Sequence, residues 1–332
     1  MQVNYNQALQ AFLCLDKTKQ IPSLHPYYVR ADSKRDHTLD PIFFLFEENK
    51  DIFYYAFHLS RIPDRDYFDI QSPYGYGGPV ATCTDSGFLE KAWAHFSLWC
   101  LEHHVIAEFI RFHPLLSNWQ YFRGDVIDDR QTVWIDLTLD DLFTSYLTRS
   151  RTVIRKATKS GLSVEWIKGE MPLKEFYELY SLAMKEKEAG DFYVFPFAYH
   201  AELLNWNSSH LAICRLGGKT IAASVFLIGP SLVEYHLSYA LGEGRRLGAS
   251  SLLLHEAAVY SKEMGCVKMH LGGGTDKQPD NPLLFFKKGF SRNTESFKIG
   301  KAIHNPEIYA MLKMQWQRIN GVEPDRVLFY RS

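Results

Sequence analysis

The stretch HLAICRLGGKTIAASVFLIGPSLVEYHLSYAL, residues 210–241, constrains the fold more than any other part of the chain. Its apolar and β-branched runs break only at Gly217-Gly218 and Gly229-Pro230. Glycine pairs and glycine–proline steps are where a chain turns, so the stretch predicts three strands joined by two turns. GEGRRLGAS follows as a glycine-rich loop, SLLLHEAAVYSKEMG (251–265) as a helix, and CVKMHLG as a closing strand. That order is a meander followed by one strand–helix–strand crossover, the mark of a mixed α/β chain.

The upstream residues read in the same way. IFFLFEE, a turn at Asn49-Lys50-Asp51 and IFYYAFHLSRI predict a hairpin. SPYGYGGP (72–79) is too rich in glycine and proline for regular structure. SGFLEKAWAHFSLWCLEHH (86–104) is an amphipathic helix with Phe88, Ala92, Phe96 and Trp99 on one stripe. VIAEFIRFHPL is a strand ended by Pro114, and TVWIDLTL (132–139) a strand with Val133, Ile135 and Leu137 on one face. One helix is expected over DDLFTSYLTRSRTVIRKATKSG, ended by Gly161, then strand LSVEWIK and a long helix after Pro172. The 332 residues divide into two similar halves, 1–139 and 140–332.

Hydrophobic residues at 46% and charged residues at 23% exclude a disordered chain. A 15% aromatic content predicts large aromatic cores or clefts. With a net charge of -1, no global field favours nucleic acid or membrane, and a polyanion would need a local patch. The five cysteines (Cys14, Cys83, Cys100, Cys214, Cys266) form no C-x-x-C pair, which argues against a zinc site or disulfide framework and for buried thiols. No metal-ligand spacing stands out. No signal peptide or transmembrane run is evident, and the expected location is the cytoplasm.

MHLGGGTDKQPDNPLLFFKKGF (269–290) sets a strand against three glycines, a proline-broken loop and two lysines among aromatics. A dinucleotide loop would need G-x-G-x-x-G running straight into a helix, and QPDNP forbids that. If FFKKGF is a strand, Lys287 and Lys288 point to opposite faces, one into an aromatic cleft and one to solvent. A cleft lysine can stabilise negative charge developing on a carbonyl oxygen. Spacing alone favours a lysine pair snorkelling along a surface strand.

Arg245-x-x-Gly248-x-Ser250 resembles the R/Q-x-x-G-x-G/A pyrophosphate loop of the GNAT acyltransferases, although Ser stands at the last position. Capping of a helix by Ser250 explains the same residues equally well. Arg149, Arg151, Arg155, Lys156 and Lys159 make an acid-free basic helix, either a solvated face or an anion patch. Glu234 and His236 share a strand face at i, i+2 and suit a base and its partner, or a polar solvent face. Asp276 and Asp280 suit an amine ligand. Tyr74 and Tyr76 suit the wall of a sugar or base site.

Taken in order, SPYGYGGP, RFHPL, RSRTVIRKATKSGLSVEW and LLLHEAAVYSKEMGCVKMHLGGG…FFKKGFS resemble the Fem-type peptidoglycan-bridge aminoacyltransferases and their GNAT-like relatives of the polysaccharide-associated branch. The resemblance spans about residues 40–300. It implies two GNAT-like halves packed side by side, without the long helical arm of some members. It also implies transfer of an acyl or aminoacyl group to an amine without metal. Lys287 would stabilise the transition state, and Arg155 and Lys187 would hold a precursor diphosphate. Acyl-CoA or aminoacyl-tRNA would be the co-substrate, with no tightly bound cofactor. The expected partners are a nucleotide- or lipid-linked sugar or peptide acceptor, and tRNA if it carries the donor. The alternative is a non-catalytic module that keeps the fold to bind a glycan precursor or a partner protein.

Overall fold

A computed structural model describes residues 1–167, 170–186 and 194–331, with the side chains of residues 170 and 171 excepted. Helices α1 (Tyr5–Cys14) and α2 (Pro26–Asp32) precede a hairpin of β1 (Leu39–Glu48) and β2 (Asp51–Arg61). Asn49 takes φ 57° in the turn, which leaves Glu48 paired with Asp51. β3 (Phe68–Gln71), β4 (Val80–Ala81), α3 (Ser86–Glu102), β5 (Val105–Arg111) and β6 (Asp125–Asp136) follow. Next come α4 (Leu142–Ser145), α5 (Thr148–Lys159), β7 (Leu162–Ile167), α6 (Glu170–Glu186) and α7 (Phe197–Asn205). The expected meander is β8 (Ser209–Leu216), β9 (Lys219–Ile228) and β10 (Leu232–Ala240). α8 (Gly242–Leu247), α9 (Ala249–Glu263), β11 (Lys268–Gly273), α10 (Pro282–Lys287), β12 (Thr294–Ile303) and α11 (Pro306–Asn320) complete the chain.

Backbone contacts gather these elements into two units, Met1–Asp129 with Phe297–Ser332, and Arg130–Ser296. In the first, the strand order is β1-β2-β3-β5-β12. Phe44, Phe53, Tyr55 and Phe57 of the hairpin pack against Trp93, Phe96 and Trp99 of α3, an aromatic core in which Phe96 and Trp99 stack at 5.9 Å. The stripe read from the sequence of α3 is the buried one, and Asp85 caps the helix by accepting the Phe88 N–H at 2.8 Å. In the second unit, the order is β6-β11-β10-β9-β8-β7. Val133, Ile135 and Leu137 pack with Leu252, Leu253 and Ala257 of α9 and with Ile154 of α5.

Several details differ from the sequence expectation. The division near residue 139 is not where the contacts divide the chain: 297–332 belongs with the first unit, where Leu312 and Phe329 pack on Ile62 and Ile106. The helix expected over 140–161 is two helices, because Asp141 caps a single turn at the Thr144 N–H and the Leu147 N–H turns to the Gly289 carbonyl. GEGRRLGAS is no loop. It is α8, a left-handed Gly248 at φ 83° and the first residues of α9, where a Cβ on Gly248 would strike Val153. Of the thiols, Cys100, Cys214 and Cys266 are buried, Cys83 is half-buried and Cys14 is exposed. No helix among the described residues is long and apolar enough to cross a membrane.

Candidate active site

The site of the second unit begins with a ladder that stops early. β10 and β11 run parallel, the outcome of the α8–α9 crossover, and they pair as Leu232–Lys268, Val233–Met269 and Glu234–His270. β10 continues to Ala240 and β11 to Gly273 without further pairing to each other. Just past the last pair, β10 carries a bulge against β9: Tyr235 opposes Phe226 and Leu237 opposes Val225, with His236 the extra residue. A bulge sharpens the twist of its strand, which takes β10 out of register with a parallel neighbour. Tyr235 stacks on Phe226 at 5.5 Å, which fixes its ring at the open end.

The lysine end of the glycine stretch closes on this place as a helix, which corrects the strand expected for FFKKGF. Asn281 accepts the N–H groups of Leu283 and Leu284 and Pro282 takes the first helical position, the usual chemistry of a helix start. Gly274 lies so close to Asn281 that a Cβ would sit 2.5 Å from its Oδ1. Lys287 ends the helix. Its Nζ donates to the Gly273 carbonyl at 2.7 Å and lies 5.9 Å from the centre of the Tyr235 ring. The side chain is 7% exposed, and burial pushes its amine down to about 7. Lys288, one helical step of about 100° further round, reaches Gln131 Oε1 at 3.1 Å on the exposed side. The two lysines do part, by helix rotation and not by strand alternation.

Glu234 and Leu237 register opposite Leu227 and Val225 on β9, so they face the same side, away from Tyr235. Glu234 is 4% exposed and belongs to no polar solvent face. His236 is half-buried, and its Nε2 lies 2.7 Å from the Tyr199 hydroxyl of α7. Glu234 thus lies in the last β10–β11 pair on the face away from Tyr235, and His236 just past it against Tyr199, neither in contact with Lys287.

The other expected residues lie elsewhere. Arg245 bonds the Ala240 carbonyl at 2.8 Å and pairs with Glu186 at 3.6 Å. Gly248 is the N-cap of α9, so Ser250 is inside the helix and caps nothing. Arg155 lies 5.0 Å from the Phe143 ring and, with Thr152, Lys156, Lys159 and Ser160, lines an open groove of about 410 Å³ that Lys287 does not reach. Asp276 accepts the Gln278 N–H at 2.9 Å, a turn contact that holds its exposed carboxyl below the usual range. Lys187 lies outside the described residues. Tyr74 and Tyr76 belong to the first unit: the Tyr74 N–H bonds Asp32 at 2.9 Å, and the Tyr76 ring meets His113 edge-on at 4.9 Å. Sequence reasoning did not single out Tyr235, Tyr199 or the Gly273 carbonyl. Asn281-Pro282 was the signal that would have revealed α10.

Comparison with known proteins relates part of the chain to a domain family and the whole of it to a fold. Residues 144–286 match the acetyltransferase (GNAT) domain. Among solved structures, FemX is 14% identical with a TM-score of 0.69, over 94% of this chain and 99% of its own. The C-terminal domain of a putative lysylphosphatidylglycerol synthetase from Agrobacterium fabrum is 16% identical with a TM-score of 0.60, over 96% and 99%. A tandem GNAT protein from the clavulanic acid biosynthesis pathway is 10% identical with a TM-score of 0.53, over 92% and 98%. No curated protein matches. The second unit therefore carries a GNAT domain, the chain has the Fem-type tandem GNAT fold, and the protein is an acyltransferase.

Proposed function

We propose that the protein transfers an acyl or aminoacyl group to an amine of a cell-wall or polysaccharide precursor, at the open end of the β10–β11 ladder. The observation that carries this reading is Lys287, a buried amine held by the Gly273 carbonyl beside Tyr235 where the two strands cease to pair. The acceptor amine attacks the donor carbonyl, and Lys287 faces the oxygen on which charge develops. A donor group fixed in a water-poor site stabilises such charge far better than the same group in water. Glu234 and His236, further along β10, are the other groups proposed to exchange protons.

GNAT domains use acyl-CoA, which favours that donor, with its phosphates near Arg245, Gly248 and Ser250. The likeness to FemX and to a lysylphosphatidylglycerol synthetase keeps aminoacyl-tRNA as the second donor and supports a cell-envelope acceptor. Arg155, Lys187, Asp276, Tyr74 and Tyr76 are proposed acceptor contacts, the cations for a diphosphate and the tyrosines for a ring. The test incubates the protein with labelled acetyl-CoA and with aminoacyl-tRNAs in separate reactions, each with a panel of amino-sugar nucleotides, and reads products by mass spectrometry. Transfer from one donor identifies it. Tight acceptor binding without transfer from either would mean a binding module.

A further inference from the structure

The mechanism above leaves one event without a definite residue: the acceptor nitrogen must lose a proton as it becomes an amide. We propose that Lys287 takes this proton, entering the reaction as a neutral amine and becoming the cation that faces the oxyanion. The inference rests on the transferase reading and deepens it.

The surroundings of Nζ carry the argument. Its polar contact among the described residues is one neutral acceptor, the Gly273 carbonyl at 2.7 Å, with the Tyr235 ring 5.9 Å away. The charged and titratable groups of the adjoining elements are directed elsewhere. Arg149 of α5 bonds the Phe285 carbonyl and stacks on its ring, Arg130 of β6 bonds the Gly274 carbonyl, and Lys288 bonds Gln131. On β10, Glu234 faces away from Tyr235 and His236 meets the Tyr199 hydroxyl of α7 at 2.7 Å, and on β11 His270 is buried opposite Glu234. No carboxylate among the described residues pairs with Nζ. An ammonium here has given up its hydration for one carbonyl, so the neutral form is favoured, in keeping with a value near 7 for which burial is the sole cause.

The step closes on itself. As the acceptor nitrogen bonds the donor carbonyl carbon, its proton passes to Nζ and the carbonyl electrons move onto oxygen. The new ammonium stands beside that oxyanion. Collapse restores the carbonyl and breaks the carbon–sulfur bond of a thioester, or the carbon–oxygen bond of an aminoacyl ester. The ammonium then returns its proton to the departing sulfur or oxygen. Lys287 ends neutral, and no further reactant is consumed.

The test compares initial transfer rates of the wild type, Lys287→Arg and Lys287→Met between about pH 5.5 and 9, with each donor and the amino-sugar panel. In parallel, wild-type protein labelled with ¹⁵N-lysine is titrated by NMR, the Lys287 signal being assigned by its loss in Lys287→Met. The expected results are Nζ titration near neutrality and a rate loss of at least about 10²-fold in Lys287→Arg at every pH, although that variant keeps a cation in place. Rates in Lys287→Arg within about threefold of wild type would overturn the proposal, because a permanent cation would then suffice. So would an Nζ that stays charged up to about pH 9, a result read on the wild type and therefore independent of how the variants fold. If the wild type transfers from neither donor, the transferase reading falls and takes this step with it. If the wild type transfers and the arginine variant keeps pace, only the proton role falls.

Discussion

Among the described residues each unit contains one pair of parallel neighbouring strands, and the two pairs end differently. In the first unit, β3 and β5 pair from Phe68–Val105 to Gln71–Phe109, and the contact then continues into the loop. The Ser72 N–H bonds the Phe109 carbonyl at 3.2 Å, the Arg111 N–H bonds Ser72 Oγ at 3.0 Å, and the Gly77 N–H bonds the Arg111 carbonyl at 2.7 Å. SPYGYGGP is sealed from behind as well. Asp32 holds the Tyr74 N–H, Tyr28 donates to the Tyr74 carbonyl at 2.6 Å, and Asn118 donates to the carbonyls of Gly77 and Pro79. Gly78, at φ 98°, has Asn118 Nδ2 and a Phe112 ring carbon each 2.8 Å from where a Cβ would stand. In the second unit, the β10–β11 ladder stops after Glu234–His270 and Lys287 occupies the end. A closed pair supports a loop. An open pair with a buried amine at its end is the feature on which we propose the chemistry for the second unit.

Breaking the closed pair should cost stability, whereas altering the open one should cost rate. Asp32 is fully buried, 3.6 Å from the buried His58 and 3.4 Å from Arg35. Removing one member of a buried charged network typically costs about 3–5 kcal/mol. Asp32→Ala should therefore lower the melting temperature sharply in calorimetry, the largest effect expected here. Full retention of the melting temperature would mean that the loop needs no such anchor. Lys287→Met keeps the length of the side chain and removes the amine. It should reduce transfer by about 10²–10³-fold while leaving the melting temperature nearly unchanged. A variant that lost stability and rate together would make Lys287 a packing residue.

Much of this contrast could be read in the sequence, and the remainder shows where periodicity stops being informative. Strands β8, β9 and β10 were legible because their apolar runs are long and end at glycine turns. The parting of β10 from β11 was not, because a bulge at His236 is defined by its partners on β9. Lys287 was legible as a residue to test, but its helix was not, since six residues are too few for a 3.6-residue period to declare itself. The membership of 297–332 in the first unit was invisible for a related reason: which residues Phe329 and Leu312 meet is a property of tertiary packing.

A smaller effect concerns acid, and both units carry it, since burial pushes His25 of the first unit down to about 4 as well. His200, on α7 in the second unit, is fully buried among Phe176, Tyr177, Tyr180 and Tyr199, with ring centres 5.3–5.6 Å away, and burial pushes it down to about 4. The fold thus holds the neutral imidazole. Its contribution is complete above the ordinary value of about 6.5 and is lost as the pH falls towards 4, about 2 kcal/mol of it between pH 6.5 and 5. His200→Phe should flatten the stability curve over that range in urea titrations, and an unchanged slope would mean that other groups set it.

The smallest expected change tests the open pair most closely. Lys288 is adjacent to Lys287 in the chain, carries the same functional group and shares the helix end, yet its amine reaches Gln131 on the exposed side. An exposed contact of this kind contributes only about 0–1 kcal/mol. Lys288→Met should alter transfer by less than about twofold and leave its pH profile in place. If Lys288→Met matched the loss in Lys287→Met, local positive charge alone would explain the rate. If only Lys287→Met is impaired, what matters is the one lysine that the early end of the β10–β11 ladder admits to a buried position.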